Sequence, residues 1–319
     1  MSLTEKLIFL MFGALVAGVL GGAAVLVGHA VHRWRFHKEK KLGKTFIRFR
    51  AVVLSVAAAG LACIAYGCWV EPNRIEVSRL RMETSKLPAD AKGIRVVHVS
   101  DLHTESTPRL ETIVAGLVKR ERPDLIVFTG DALNDRRGLT IFRVCMRRLA
   151  KIAPTFAVRG NWDLHAWRDL KLFEGTGVVE LDGQARKLSI RGQDLWIAGA
   201  AWLNEGHIER ALAEVPDGAL SIFAYHAPGG IYRIAKGNAD LCLVGHTHGG
   251  QVRLPWYGAL VTLARYGKRF EAGPYRVENT WLYVNRGVGM QGGLTPRVRF
   301  LCRPEIAVFE LTPASPGER

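Results

Sequence analysis

The chain has few cysteines, few acidic residues, and no internal repeat or low-complexity tract. Its five cysteines, Cys63, Cys68, Cys145, Cys242 and Cys302, are odd in number, and none stands in a C-x-x-C pair. That argues against both a disulfide framework and a zinc knuckle and leaves buried free thiols as the simplest reading. Asp and Glu number 29 against 44 Lys and Arg, for a formal charge of +15. Such a balance suits anionic partners: nucleic acid, anionic lipid or a phosphorylated substrate. The length of 319 residues allows one large domain with additions, or two small ones.

Charge is missing altogether from two long stretches. Residues 7–31, "LIFLMFGALVAGVLGGAAVLVGHAV", carry one strongly polar side chain, His29. Residues 51–70, "AVVLSVAAAGLACIAYGCWV", carry no charge. Each is long enough to cross a hydrocarbon core of about 30 Å, and Trp69 sits where an interfacial aromatic belongs. A signal peptide has a shorter apolar core and no second span behind it, and a buried globular helix is seldom apolar all round. "AYGC" also lacks the leucine expected three residues before a lipoprotein cysteine. Residues 1–70 are therefore expected to be a membrane anchor of two helices. Gly18 with Gly22, and Gly13 with Ala17, have small-xxx-small spacing suited to a packed hairpin. The loop at 32–50 holds eight Lys or Arg and one Glu, which assigns it to the cytoplasm and the chain beyond residue 70 to the outside of the inner or plasma membrane. Arg74, Arg79, Arg81 and Lys86 weigh against that orientation.

Residues 71–93 read as a linker, and 94–319 as one folded domain. Within it, apolar runs end in polar clusters: "IRVVHVS", "DLIVFTG", "PTFAVRG", "LSIFAYH" and "DLCLVG". These are buried strands by length and composition. Further strands fit 186–191, 195–200, 281–285 and 306–311, and helices fit 108–120, 139–151, 165–173 and 206–213. The mixture implies an α/β or α+β fold with one large mixed sheet or two packed sheets. Ligand sites in such sheets gather at the carboxyl ends of the strands. There the runs deliver Asp101, His103, Asp131, Asn161, His226, His246 and His248.

Oxygen and nitrogen donors without thiolate suit manganese, iron, zinc, cobalt or magnesium. Seven donors exceed the needs of one tetrahedral site, so two divalent ions sharing one carboxylate is the economical arrangement. Asp131, alone after a glycine, is the natural bridge. Two carboxylates against two divalent ions leave a positive hole suited to phosphate.

The order D-x-H, G-D, G-N-x-D, H, G-H-x-H, spread over about residues 94–311, resembles the calcineurin-like metallophosphoesterases, and "GHTHGGQ" with "NRGVG" is similar to their membrane-associated bacterial branch. The resemblance implies a two-sheet β-sandwich flanked by helices. It implies one metal on Asp101, His103, Asp131 and His248, and the other on Asp131, Asn161, His226 and His246. It also implies attack on phosphorus by a hydroxide that the metals bridge. Asp163 completes the G-N-x-D motif and is expected at the catalytic centre with Asp131 and Asn161.

Trp162 departs from the pattern, because the family usually has histidine after the asparagine. An indole can donate a hydrogen bond but cannot supply a proton at neutral pH. The expected substrate is therefore a phosphoanhydride or activated diester, and it can be lipid-linked. His165 is a candidate substitute acid; a surface helix position is its plainer reading, and plain packing is that of Trp162. His98 reads as core, His207 as solvated, and His29, His32 and His37 as membrane-bordering. Asn134 and Asp135 read as loop caps, or as residues that order water behind the metal ligands. The segment 253–276 mixes aromatic, aliphatic and basic residues. It fits either a surface on the bilayer, with Arg265, Lys268 and Arg269 at lipid phosphates, or an ordinary packed insertion. Two membrane spans argue against a nucleic-acid partner. Two other readings compete: the UDP-2,3-diacylglucosamine pyrophosphatase of lipid A synthesis, which needs a cytoplasmic site, and a metal-binding scaffold without turnover.

Overall fold

A computed structural model describes residues 3–36, 43–202, 204–237, 239–292 and 296–314. The N-terminal part is two helices, α1 (Leu3–Phe36) and α2 (Lys44–Ala65). Residues 37–42 of the basic loop, His37 among them, lie outside the described residues. Both helices are long and apolar enough to cross a membrane. Only 6% of the most apolar window of α1 and 11% of that of α2 is buried, which sets them apart from core helices of a globular domain. Helix α1 contacts α2, but nothing lies within 4 Å of where a side chain on Gly13, Gly18 or Gly22 would begin. The small-residue stripe is thus not the seam of the hairpin.

The rest is a sandwich of two six-stranded sheets. The first contains β1 (Glu76–Thr84), β2 (Ile94–Val99), β3 (Leu125–Phe128), β4 (Thr155–Ala157) and β5 (Val179–Glu180), with β14 (Glu305–Pro313) between β1 and β2. The second contains β6 (Gln184–Ile190), β7 (Gln193–Gly199), β8 (Ser221–Ala224), β9 (Leu241–Val244), β12 (Gly273–Val277) and β13 (Thr280–Val284), ordered β12-β13-β9-β8-β7-β6. A small ribbon pairs β10 (Arg253–Leu254) with β11 (Gly258–Ala259). Side-chain alternation along the strands builds the layers. Ile94, Val96, Leu125 and Val127 meet Ile222, Leu241 and Leu243 between the sheets. Val97, Val99, Ile126 and Phe128 face outward under α3 (Glu111–Glu121) and α4 (Leu139–Ala150). Phe223, Cys242 and Val244 face outward under α6 (Glu205–Ala213) and α7 (Ile231–Lys236).

The fold is therefore α/β, a two-sheet sandwich flanked by helices. It departs from sequence expectation in two segments. Residues 71–93 are not a linker: β1 pairs in parallel along its whole length with β14, and Met82 and Leu87 join the inter-sheet core. Its entry is also fixed, because the buried Glu71 carboxylate accepts the backbone N–H groups of Leu301 and Cys302. The helix expected at 165–173 does not form. Helix α5 (Asn161–His165) ends there, and Leu170, Leu172 and Phe173 enter the core from turns, at a spacing that no single helix face supplies. Of the cysteines, Cys145, Cys242 and Cys302 are buried; Cys63 is exposed and Cys68 half-buried, and all are free.

Candidate metal centre

Strands β2, β3 and β4 are mutually parallel, as are β7, β8, β9 and β13, so their carboxyl ends form one rim on each sheet. The loops leaving these rims hold Asp101 and His103, Asp131, Asn161, His226, and His246 and His248. Backbone geometry turns the side chains inward. Asp101, His103, Asp131, His246 and His248 all have positive φ, between 43° and 71°. That region is uncommon outside glycine, and such strain gathers at functional sites. Glycines make room. A side chain on Gly160 would strike the Asp131 carboxylate, and one on Gly245 would strike that of Asp101.

All seven candidates converge. Asp101, His103, Asp131, His226 and His248 are buried, while Asn161 and His246 are partly exposed and mark the side open to solvent. Asp131 Oδ2 lies 3.4 Å from His103 Nε2 and 3.5 Å from His226 Nε2, so one oxygen serves two groups. On one side, His103 Nε2 is 3.0 Å from His248 Nε2, which is 3.5 Å from Asp101 Oδ1. On the other, Asn161 Oδ1 is 2.8 Å from both His226 Nε2 and His246 Nδ1. The triads Asp101–His103–His248 and Asp101–Asp131–His226 each place their donor atoms within 4.8 Å of one another.

Surrounding hydrogen bonds fix which atoms point inward. His226 Nδ1 donates to the Thr129 carbonyl at 2.7 Å, leaving the Nε2 lone pair toward the cluster. His103 Nδ1 donates to Asn134 Oδ1 at 2.7 Å, and Asn134 Nδ2 donates to the Met290 carbonyl at 2.9 Å. The backbone N–H of Trp162 donates to Asp131 Oδ1 at 2.9 Å, leaving Oδ2 as the shared atom. His98 Nε2 donates to Thr129 Oγ1, Thr129 to Ser100, and Ser100 to Asp101 Oδ2, a buried chain that sets the Asp101 carboxylate. Arg299, fully buried, donates to the carbonyls of Arg286 and Gly287 and lies 3.4 Å from His248 Nδ1. Metal-binding imidazoles are oriented by donating their outer N–H to acceptors such as the Thr129 carbonyl and Asn134 Oδ1.

Carboxylate, amide and imidazole atoms thus crowd to about 3 Å of one another, a spacing that a shared proton or a bound cation between them can satisfy. Electrostatics agree. Burial pushes His103 and His246 down to about 4 and His248 well below its usual value, so these imidazoles are neutral, the form that ligates metals. Burial alone would raise Asp131, but His226, His103 and His246 overcome it and hold the carboxyl far below the usual range. His226 is the converse: burial opposes its charge, the Asp131 carboxylate outweighs burial, and the ring rises to about 9. Without metal, the cluster takes up a proton where a cation fits. The donor set suits divalent metal ions.

The remaining candidates divide. The Trp162 ring stands edge-on to His103, centroids 5.9 Å apart, beside the cluster. Asp163 does not face the cluster's interior: fully buried, it accepts the N–H groups of Gly160, Asp131 and Ala132, each at 2.8 Å, and braces the two loops. With both oxygens consumed and no exposure, it has no route to a substrate. His165 is exposed and lies against Trp202 at 5.3 Å, which in turn stacks on His246; among the described residues no hydrogen bond ties His165 to the cluster. Asn134, expected to cap its loop or order water, instead orients His103 directly. Ser100, Thr129 and Arg299 carried no sequence signal, because isolated Ser, Thr and Arg are everywhere.

Residues 94–250 match the calcineurin-like phosphoesterase family. The chain is 32% identical over 275 residues to the uncharacterized metallophosphoesterase YkuE of Bacillus subtilis, covering 82% of this chain and 94% of that one. It is 27% identical over 277 residues to the phosphodiesterase YaeI of Escherichia coli, covering 84% and 98%. It is 24% identical over 320 residues to the UDP-2,3-diacylglucosamine pyrophosphatase LpxG of Chlamydia trachomatis, covering 81% and 96%. With the five motifs in order on the facing rims of the two sheets and relatives that span nearly their whole length, the chain belongs to the calcineurin-like metallophosphoesterases, a family of metal-dependent phosphoesterases.

Proposed function

We propose that this chain is a membrane-anchored two-metal phosphoesterase that cleaves a phosphodiester or phosphoanhydride, with residues 1–70 as the anchor. One metal would be held by Asp101, His103, Asp131 and His248, the other by Asp131, Asn161, His226 and His246. The observation that carries this is Asp131 Oδ2, within 3.5 Å of imidazole nitrogens from both halves of the cluster. Bound divalent ions would supply charge neutralisation at phosphorus and a more acidic water. The protein's own residues hold the donors in place. Trp162 fixes Asp131 through its amide and covers His103 with its ring, while Asn161 and His246 form the open side by which a phosphate would arrive.

Without an acid at position 162, leaving groups that depart unprotonated are favoured: a phosphate or an aryloxide. The aligned pyrophosphatase, LpxG, is consistent with a phosphoanhydride substrate here too. The test is turnover of a phosphoanhydride, an aryl diester and an alkyl diester by the full chain, reconstituted with manganese. The expected order places the alkyl diester last. Trp162→His should raise the alkyl rate relative to the aryl rate by at least about tenfold, because general acid help is typically worth 10²–10⁴. Preference for the alkyl diester in the unaltered protein would refute the leaving-group reading; no turnover of any of them would favour a scaffold.

The catalytic domain is assigned to the extracytoplasmic side. The early part of α1, at Phe9 and Phe12, and the turns just beyond the far end of α2, at Gly67 and Glu71, both meet the domain. Helix α1, with 34 residues, is about 50 Å long. The basic loop therefore lies at the opposite end of the hairpin, and positive-inside bias assigns it to the cytoplasm.

A further inference from the structure

Between the first third of α1 and the segment 247–263 lies a cavity of about 410 Å³ that none of the chemistry above uses. Phe9 and Phe12 line it from α1, and Val252, Leu260, Val261 and Val298 line it from the domain. Thr247 and His248 line it too, so one side chain belongs both to this cavity and to the metal cluster. We propose that the cavity takes one acyl chain of a membrane lipid whose phosphate sits at the Asp131 cluster. The proposal rests on the phosphoesterase reading above and names its substrate class.

Three observations commit the cavity to an acyl chain. Its size falls among ligand sites, about 300–1,000 Å³, and its lining is mostly hydrocarbon. One wall is an apolar helix long enough to span a bilayer and almost uncovered by protein, so the cavity is continuous with the space lipid would fill. The segment that lines it also carries exposed apolar side chains: Trp256 is fully exposed, and Tyr257 and the lining residue Leu263 are exposed as well. Such residues are at home at a membrane interface. Of the basic residues of this segment, Lys268 is already engaged by polar partners. Lys268 donates to the carbonyls of Tyr257 and Ala259, each at 2.9 Å, pairs with Glu271 and lies 4.0 Å over the Tyr257 ring. Arg269 lies over Tyr232 and Phe270. The metal cluster, which shares His248 with the cavity lining, is the phosphate-binding element next to it.

Monoalkyl phosphates of rising chain length, from butyl to hexadecyl, test this as inhibitors of aryl diester turnover by the full chain at fixed neutral detergent. Inhibition should tighten by at least about tenfold across the series, as burial of methylenes requires. Val261→Trp, which fills the cavity, should abolish that gain. Partition of long chains into micelles would tighten inhibition equally in both proteins, and so is told apart. A hexadecyl phosphate with a diazirine near the chain end should label peptides containing Phe9, Phe12 or Val298 in the unaltered protein. Chain-length-independent inhibition, or labelling outside the cavity, overturns the proposal. Failure of the aryl diester to turn over at all would instead sink the phosphoesterase reading, and the labelling pattern would still decide the cavity.

Discussion

Asn134 makes the difference between a histidine in a loop and a histidine aimed at a metal. Its amide is held by the Met290 carbonyl, so its oxygen must face His103 Nδ1. Asn134→Ala frees that ring, and metal affinity should fall by about 10–100-fold, read by titration of the metal-free protein with manganese. An unchanged affinity would mean that packing alone orients His103. His98 behaves differently. Burial depresses its folded-state value to about 3, against about 6.5 in the unfolded chain. Between those values the unfolded chain binds a proton that the folded chain refuses, so stability declines as pH drops below about 6.5. His98→Gln keeps a donor toward Thr129 and removes the titration. Its stability should decline less steeply over pH 6 to 4, by up to about 1.4 kcal/mol per unit, in denaturant unfolding of metal-free protein. Identical slopes would show that His98 does not titrate on unfolding.

At the scale of elements, strands with both faces buried announced themselves and the half-buried one did not. Residues 125–128 and 241–244 are buried at every position, and an unbroken apolar run is how such a strand reads. Strand β1, "EVSRLRMET", buries only Met82, so its polar surface hid an edge strand inside an apparent linker. The seven candidate ligands were legible because Asp, Asn and His recur behind those apolar runs. Their orienting partners were not, since what makes Asn134 or Thr129 matter is a neighbour distant in sequence. Trp167, likewise, read as part of a helix, but its indole donates to the Leu133 carbonyl and ties a turn to the Asp131 loop. The edge strand has a measurable consequence. A chain beginning at residue 94 bares β14 and loses Met82 and Leu87 from the core. It should aggregate, or melt roughly 10 °C or more below one beginning at residue 66, which keeps Gly67, Glu71 and β1. Equal melting temperatures would restore the linker reading.

For the whole molecule, the two apolar helices and the sandwich are joined rather than tethered. Gly67 abuts Val298 and Arg299, Glu71 caps the amides of Leu301 and Cys302, and Arg299 from the same stretch reaches His248. If the two helices anchor the chain as proposed, a substrate that stays in the bilayer would meet the metal centre without leaving it. All of this depends on two cations sharing Asp131. The most direct measurement is metal stoichiometry of the full chain, purified without chelator, reconstituted with manganese and set beside Asp131→Asn. The account predicts close to two equivalents per chain, with the loss of at least one in the variant together with turnover. A wild-type protein that binds no manganese, or a variant that retains both metal and activity, would contradict it.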